Sequence, residues 1–364
     1  MAGIRVHTPG SGEIGGSRLR RVVFASLALL SGLSCSAGVI AQGNASPGIS
    51  AEEKAAAMKE GVVNYYTARA TKTAFKIGEE ATKALGITVK ITRLSSSLNY
   101  NRAVQEFEQG VNNADVIDTS VVAHFYDMKK RGMLQPYVPA NIALYRSNEY
   151  YDPEHYWHAS QIGLGAINYN KDLVTGDMIP KTWKDLTDPK YKNKLVQGHI
   201  KASGTSAVVD YFLVQMYGWP FFEALKANNI MTQQSCDATN LIATGERVIG
   251  LCDHQITAPA QAQGLPIETV FPEDGVFGQL GPVALLAKAK HPNAGKLLID
   301  WITSPKGQQH YVNGGVLSPL DSPEIKYPPQ YPNPKQMKVM IPDPEKVKVW
   351  LEEGREKFGA MFGG

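Results

Sequence analysis

Between positions 62 and 132, short apolar runs alternate with stretches of helical periodicity, and this alternation narrows the choice of fold more than any other feature. A helix is expected over 51–61, followed by the strand Val62-Val-Asn-Tyr-Tyr66. A turn at 67–71 leads to a helix over 73–86 and a strand over 87–94. A helix over 100–110, a short strand at 115–118 and a helix ending near Gly132 complete the run. Strand, helix and strand repeated in this order predict an α/β fold with a mainly parallel sheet and right-handed crossovers. Ligands of such sheets sit beyond the carboxyl ends of the strands. Thr67, the Ser95–Ser97 triplet, Thr119 and Ser120 all fall there. Further strands are expected at 163–169, 247–252 and 282–288. Helices are expected near 221–228, 237–245 and 293–303, with a last amphipathic helix over 343–360.

A second feature lies at His199-Ile-Lys-Ala-Ser-Gly-Thr-Ser206. Val208, Val209, Phe212, Leu213 and Met216 follow at helical spacing, so Ser203-Gly-Thr-Ser206 marks a strand-to-helix turn. The first N–H groups of a helix have no internal partner, and the helix dipole adds partial positive charge there. Such a turn suits an anion. Simple capping by Ser203 or Thr205 accounts for the same residues, and both readings stand at this point.

Residues 1–41 read as a signal peptide. Arg18, Arg20 and Arg21 precede an apolar stretch, and Val39-Ile-Ala41 offers a small residue for cleavage. The whole chain carries 37 Lys and Arg against 34 Asp and Glu; the signal holds four Arg and one Glu, which leaves 33 of each. A neutral mature chain argues against nucleic acid as a partner. About 320 residues suffice for two domains. Cys236 and Cys252 remain after processing, an even pair that suggests a disulfide in an oxidising compartment. His155-x-x-His158 has metal-compatible spacing but stands in an aromatic linker with no cysteine or acidic partner nearby, and is read as packing.

Several segments together resemble the extracellular solute-binding proteins of bacterial ABC importers, in the branch that includes ferric-ion and small-oxyanion binders. They are Val63-Asn-Tyr-Tyr-Thr-Ala68, Ala114-Asp-Val-Ile-Asp118, Gly165-Ala-Ile-Asn-Tyr-Asn-Lys171, Trp183-Lys-Asp-Leu186, Ala202-Ser-Gly-Thr205 and Gly245-Glu-Arg-Val-Ile-Gly250, with the Asp-Trp-Ile-Thr-Ser-Pro-Lys-Gly307 run. The resemblance implies a two-lobed, type II periplasmic-binding fold. Lobe one would hold 42–165, lobe two 166–279, and the chain would return to lobe one over 280–364. It implies a monomer in the periplasm that clamps a small solute and hands it to a membrane permease, with no cofactor and no catalysis. Thr67, Ala68, Ser96, Ser97, Thr119 and Ser120 would then face Ser203, Gly204, Thr205 and Ser206 across the cleft, with Asp253 and His254 nearby.

One departure bears on the ligand. Ferric-ion binders of this family place a tyrosine pair after the strand corresponding to 248–252, where this chain has Asp253-His-Gln-Ile256. A metal alternative would draw on Tyr66, Tyr169, Asp253 and His254, although both tyrosines also suit packing within the sheet. A secreted hydrolase using Ser203 or Ser206 with His254 and Asp253 is a third reading; the glycine two residues before Ser203 that a nucleophile elbow needs is missing.

Overall fold

Local chemistry sets the first boundary. Ser50 opens α1 (Ala51–Glu60) with a capping box, its side chain accepting the Glu53 N–H while the Glu53 carboxylate accepts the Ser50 N–H. Gly61, at φ 68°, closes the helix in a left-handed conformation that glycine tolerates without strain. The computed structural model describes residues 47–363 apart from 202, 329–330 and 332–338. The expected signal segment, 1–41, lies outside the described residues.

β1 (Val62–Thr67), α2 (Thr71–Leu85), β2 (Thr88–Arg93), α3 (Ser96–Glu108), β3 (Val116–Asp118) and α4 (Val122–Lys130) follow in the predicted alternation. β1 lies between β2 and β3, parallel to both. After β4 (Leu134–Gln135) comes the long β5 (His158–Asn170), then β6 (Leu195–Gly198), α5 (Gly204–Tyr217), α6 (Trp219–Ala227) and β7 (Met231–Gln233). α7 (Thr239–Thr244), β8 (Ile249–Asp253), α8 (His254–Ala262), β9 (Ile267–Val270) and the long β10 (Val276–Leu286) come next. α9 (Pro292–Ile302), α10 (Pro305–Asn313), β11 (Val339–Met340) and α11 (Pro344–Phe362) end the chain.

The strand order is β2-β1-β3-β10-β5-β8-β6-β7, with β4 and β11 on β10 and β9 on β5. β5 changes company along its length. Its first half, His158 to Leu164, pairs antiparallel with β10, and its second half, from Gly165, pairs with β8 and β9. Two groups of strands are thus joined through two long central ones, the arrangement of a type II binding fold. Both strands exceed the expected 163–169 and 282–288. Nearly every position on them is buried, so the polar–apolar alternation that advertises a half-exposed strand is absent.

Each group has its own core. Val63, Tyr65, Ile77, Leu298 and Ile302 pack on one face of β1–β3, and Tyr66, Ile117, Phe125 and Leu134 on the other. Ile167, Trp183, Leu213, Phe222, Leu251, Phe277 and Phe358 fill the second group. Fully burying a Leu or Phe side chain contributes about 1.5–3 kcal/mol. α9 packs on α1 and α10 on α2, while α11 lies against α5, α6 and α4. Cys236 and Cys252 are disulfide-linked, their Cα atoms 5.5 Å apart, which ties the segment before α7 to β8. Asp253 and His254 are both buried, and Asp253 is the N-cap of α8. Pro259 inside that helix hides its pattern in the sequence.

Candidate functional site

Three helix starts meet one cavity. Ser97 in the first turn of α3, Ser120 to His124 at the start of α4, and Gly204 to Val208 at the start of α5 contribute lining residues, with Gln279 and Leu280 of β10 beneath. The cavity encloses about 270 Å³. Ser95 caps α3 and Ser203 caps α5, whereas no side chain caps α4. The Val122 and Ala123 N–H groups at the start of α4 therefore have no side-chain acceptor among the described residues, whereas the His124 N–H donates to the Val121 carbonyl at 3.1 Å. Gln279 donates from Nε2 to the Ser120 carbonyl at 2.8 Å and to the Gly204 carbonyl at 3.5 Å, bridging the starts of α4 and α5. A Cβ on Gly204 would lie 3.5 Å from the Val121 side chain, so the two helix starts approach closely.

The lining is basic and apolar. Among the described lining residues Lys201, Lys348 and Arg355 are cationic and Asp127 alone is a carboxylate, beside Val121, Ile200, Val208, Leu280, Ile341 and Leu351. Asp127 is already engaged by the Tyr100 hydroxyl at 2.6 Å and Arg131 Nε at 2.6 Å. Burial pushes its carboxyl up, but those two donors win and hold it below the usual range. His124 stacks on Tyr100, ring centroids 4.3 Å apart, with Nδ1 3.2 Å from the Thr119 hydroxyl. Burial lowers its imidazole to about 4, so it is neutral at neutral pH.

Of the residues singled out in the sequence, Ser97, Ser120 and Gly204 line this cavity. Others build its frame. Ser96 Oγ accepts the Ser120 N–H at 3.0 Å, and Thr119 Oγ1 accepts the Val121 N–H at 3.1 Å. Ser203 Oγ receives the Ser206 N–H at 3.2 Å and the Ser206 hydroxyl at 3.0 Å. Thr205 is partly exposed in the first turn of α5. The Thr67 hydroxyl and Ala68 N–H both donate to buried Asp118, at 2.7 and 2.9 Å. Asp118 also takes the Tyr65 hydroxyl and Arg69 Nε, the latter at 3.0 Å, in an ion pair sealed from solvent.

Asp253 and His254 are occupied elsewhere. Asp253 accepts the Gln255 N–H and its side-chain amide, each at 2.9 Å, and burial raises its carboxyl to about 6. His254 lies between the Gly315 carbonyl, 3.2 Å from Nδ1, and Gln261 Oε1, 3.3 Å from Nε2, so neither nitrogen is directed at Ser203 or Ser206. Tyr66 donates to Glu106 at 2.9 Å beneath the Arg102 guanidinium; burial, then Glu106, pushes its phenol up to about 12. Tyr169 packs on the core of the second strand group, and burial raises its phenol too. Among the described residues no group of three or more His, Cys, Asp or Glu could hold a metal ion. Tyr100, His124, Lys201, Gln279, Lys348 and Arg355 also line the cavity and carry no motif in the sequence. Lys201, two residues before the Ser203 cap, was within reach of the same argument.

Residues 112–346 match the family model described as bacterial extracellular solute-binding protein. The chain belongs to that family. The spermidine/putrescine-binding periplasmic protein of Salmonella typhimurium is 24% identical over 250 residues, spanning 62% of this chain and 68% of its own. The periplasmic binding protein AfuA from Actinobacillus pleuropneumoniae, solved with exogenous fructose-6-phosphate bound, superposes with a TM-score of 0.71 at 23% identity. That match covers 83% of this chain and 99% of AfuA. Iron-bound HitA from Pseudomonas aeruginosa gives 0.69 at 16% identity, over 82% and 99%. This member of the family is thus the solute-binding component of an ABC importer with a type II periplasmic-binding fold, and its relatives carry iron, sugar phosphate or polyamine in their names. Among the described residues no helix is long and apolar enough to cross a membrane.

Proposed function

We propose that this binding protein works in the periplasm, captures a small organic anion between its lobes, and delivers it to an inner-membrane permease. The observation that carries the reading is the lining of the cavity: an α4 start with no side-chain cap, and Lys348 and Arg355 beside an Asp127 carboxylate that already accepts from Tyr100 and Arg131. The apolar part of that lining suits an anion with a short hydrocarbon body better than a bare inorganic ion. A polyamine would require free carboxylates, and among the described lining residues Asp127 alone supplies one. Ferric ion would require several oxygen or nitrogen ligands together, and the candidate tyrosines are engaged apart, Tyr66 with Glu106 and Tyr169 on the core of the second strand group.

A thermal-shift comparison of the mature protein tests this. Propylphosphonate, hexanoate and inorganic phosphate represent anions, with putrescine and ferric citrate as the competing classes. A ligand at 100 times its dissociation constant adds about 2.7 kcal/mol of stability. The expected result is stabilisation by at least one organic anion and none by putrescine. Stabilisation by putrescine or ferric ion alone would overturn the reading.

A further inference from the structure

One wall of the cavity comes from the end of the chain. α11 is fastened to α5, α6 and the turn before α5 by its aromatic residues. Phe358, fully buried, meets Phe222 at 5.8 Å and His199 at 5.0 Å between ring centroids, and His199 Nε2 donates to the Gly363 carbonyl at 2.7 Å. Trp350 stacks on Trp219 at 6.5 Å and meets Tyr211 edge-on at 5.6 Å. With that side anchored, Lys348, Leu351 and Arg355 recur at three- and four-residue spacing, form one stripe, and line the cavity opposite α4. The helix therefore packs on α5, α6 and α4 and turns its cations into the cavity beside them.

The two cations differ in their surroundings. Lys348 acts electrostatically on Asp127, which partly offsets its charge. Arg355 acts electrostatically on His124, as Asp127 does with the opposite sign. Neither forms an ion pair within 4.0 Å among the described residues, and both are exposed. A guanidinium is a planar fork of N–H donors matched to two oxygens of a carboxylate, phosphate or phosphonate.

We propose that Arg355, assisted by Lys348, binds the oxyanion head of the solute, so that α11 is part of the recognition surface and its cations set the preference for an anion. The proposal rests on the anion reading of the cavity. It commits to an oxyanion with two or more oxygens, held by Arg355 on one side and the uncapped start of α4 on the other, with the apolar body against Val208 and Leu280.

Calorimetric titration of propylphosphonate and hexanoate, with inorganic phosphate as a third probe, into wild-type protein, Arg355→Gln, Arg355→Lys and Lys348→Gln decides it. Loss of one charge-assisted contact weakens affinity about tenfold or more. The expected order is wild type tightest, then Lys348→Gln, then Arg355→Lys, with Arg355→Gln weakest by at least tenfold. Melting temperatures of the unliganded variants should stay near wild type, because both side chains are exposed. Wild-type binding with affinity unchanged within twofold in both Gln variants overturns the proposal and leaves the anion reading standing. Failure of the wild type to bind any of the three probes overturns both.

Discussion

Asp210 sits inside α5, buried, and its Oδ2 has no hydrogen-bond partner among the described residues. Burial pushes its carboxyl well above the usual range, so the folded protein keeps it protonated where the unfolded chain ionises near 3.9. A folded-state value raised in this way means stability falls as pH climbs from the unfolded value toward the folded one. Asp210→Asn should therefore stabilise the protein, and by more at pH 8 than at pH 5, as read from urea midpoints. An equal effect at both would mean that the carboxyl is ionised in the fold. Ser203 shows how a residue can be legible in type and ambiguous in role. The sequence marks it as the start of a helix, and the structure gives its hydroxyl to Ser206. Ser203→Ala should cost about 1 kcal/mol of stability. The carboxylate–guanidinium pair of Asp118 and Arg69 was not legible, because nothing in the spacing of two residues 49 apart says that they meet.

At the scale of elements, strands and helices with a clean period were readable and those without one were not. The β1 to β3 alternation follows its apolar pattern, whereas α8 is concealed by Pro259 and the full lengths of β5 and β10 by burial on both faces. α11 was readable as an amphipathic helix, but its docking place was not, since apolar periodicity names a face and no partner. Phe358→Ala removes a fully buried ring and should cost about 3–5 kcal/mol of local docking energy. Hydrogen exchange should then accelerate across 344–362 while β1 and β3 keep their protection; uniform acceleration would mean that α11 is integral to the global core. Reducing the Cys236–Cys252 bridge, 16 residues apart, should cost about 3 kcal/mol by the chain-entropy model, measured as a lower melting temperature with reductant. An unchanged melting temperature would contradict that.

For the whole molecule, the order of weak motifs along the chain carries the family resemblance, and the family model matches residues 112–346. Solute identity was not legible, because hydroxyls at strand ends accept many ligands and the basic side chains come from positions far apart in sequence. Lys201 and Arg355 line one cavity only in the fold. Two strand groups joined through β5 and β10 can move about few residues, so scattering should show a smaller radius of gyration on ligand binding. An unchanged radius at saturation would argue against closure. The most direct test of anion capture is a crystal structure with 3-bromopropylphosphonate, in which anomalous scattering marks the bromine. The expected peak lies against Val208 and Leu280, with the phosphonate oxygens within hydrogen-bond distance of Arg355 and of the first N–H groups of α4. A bromine peak anywhere outside the cavity between α3, α4, α5 and α11, at saturating ligand, would contradict it.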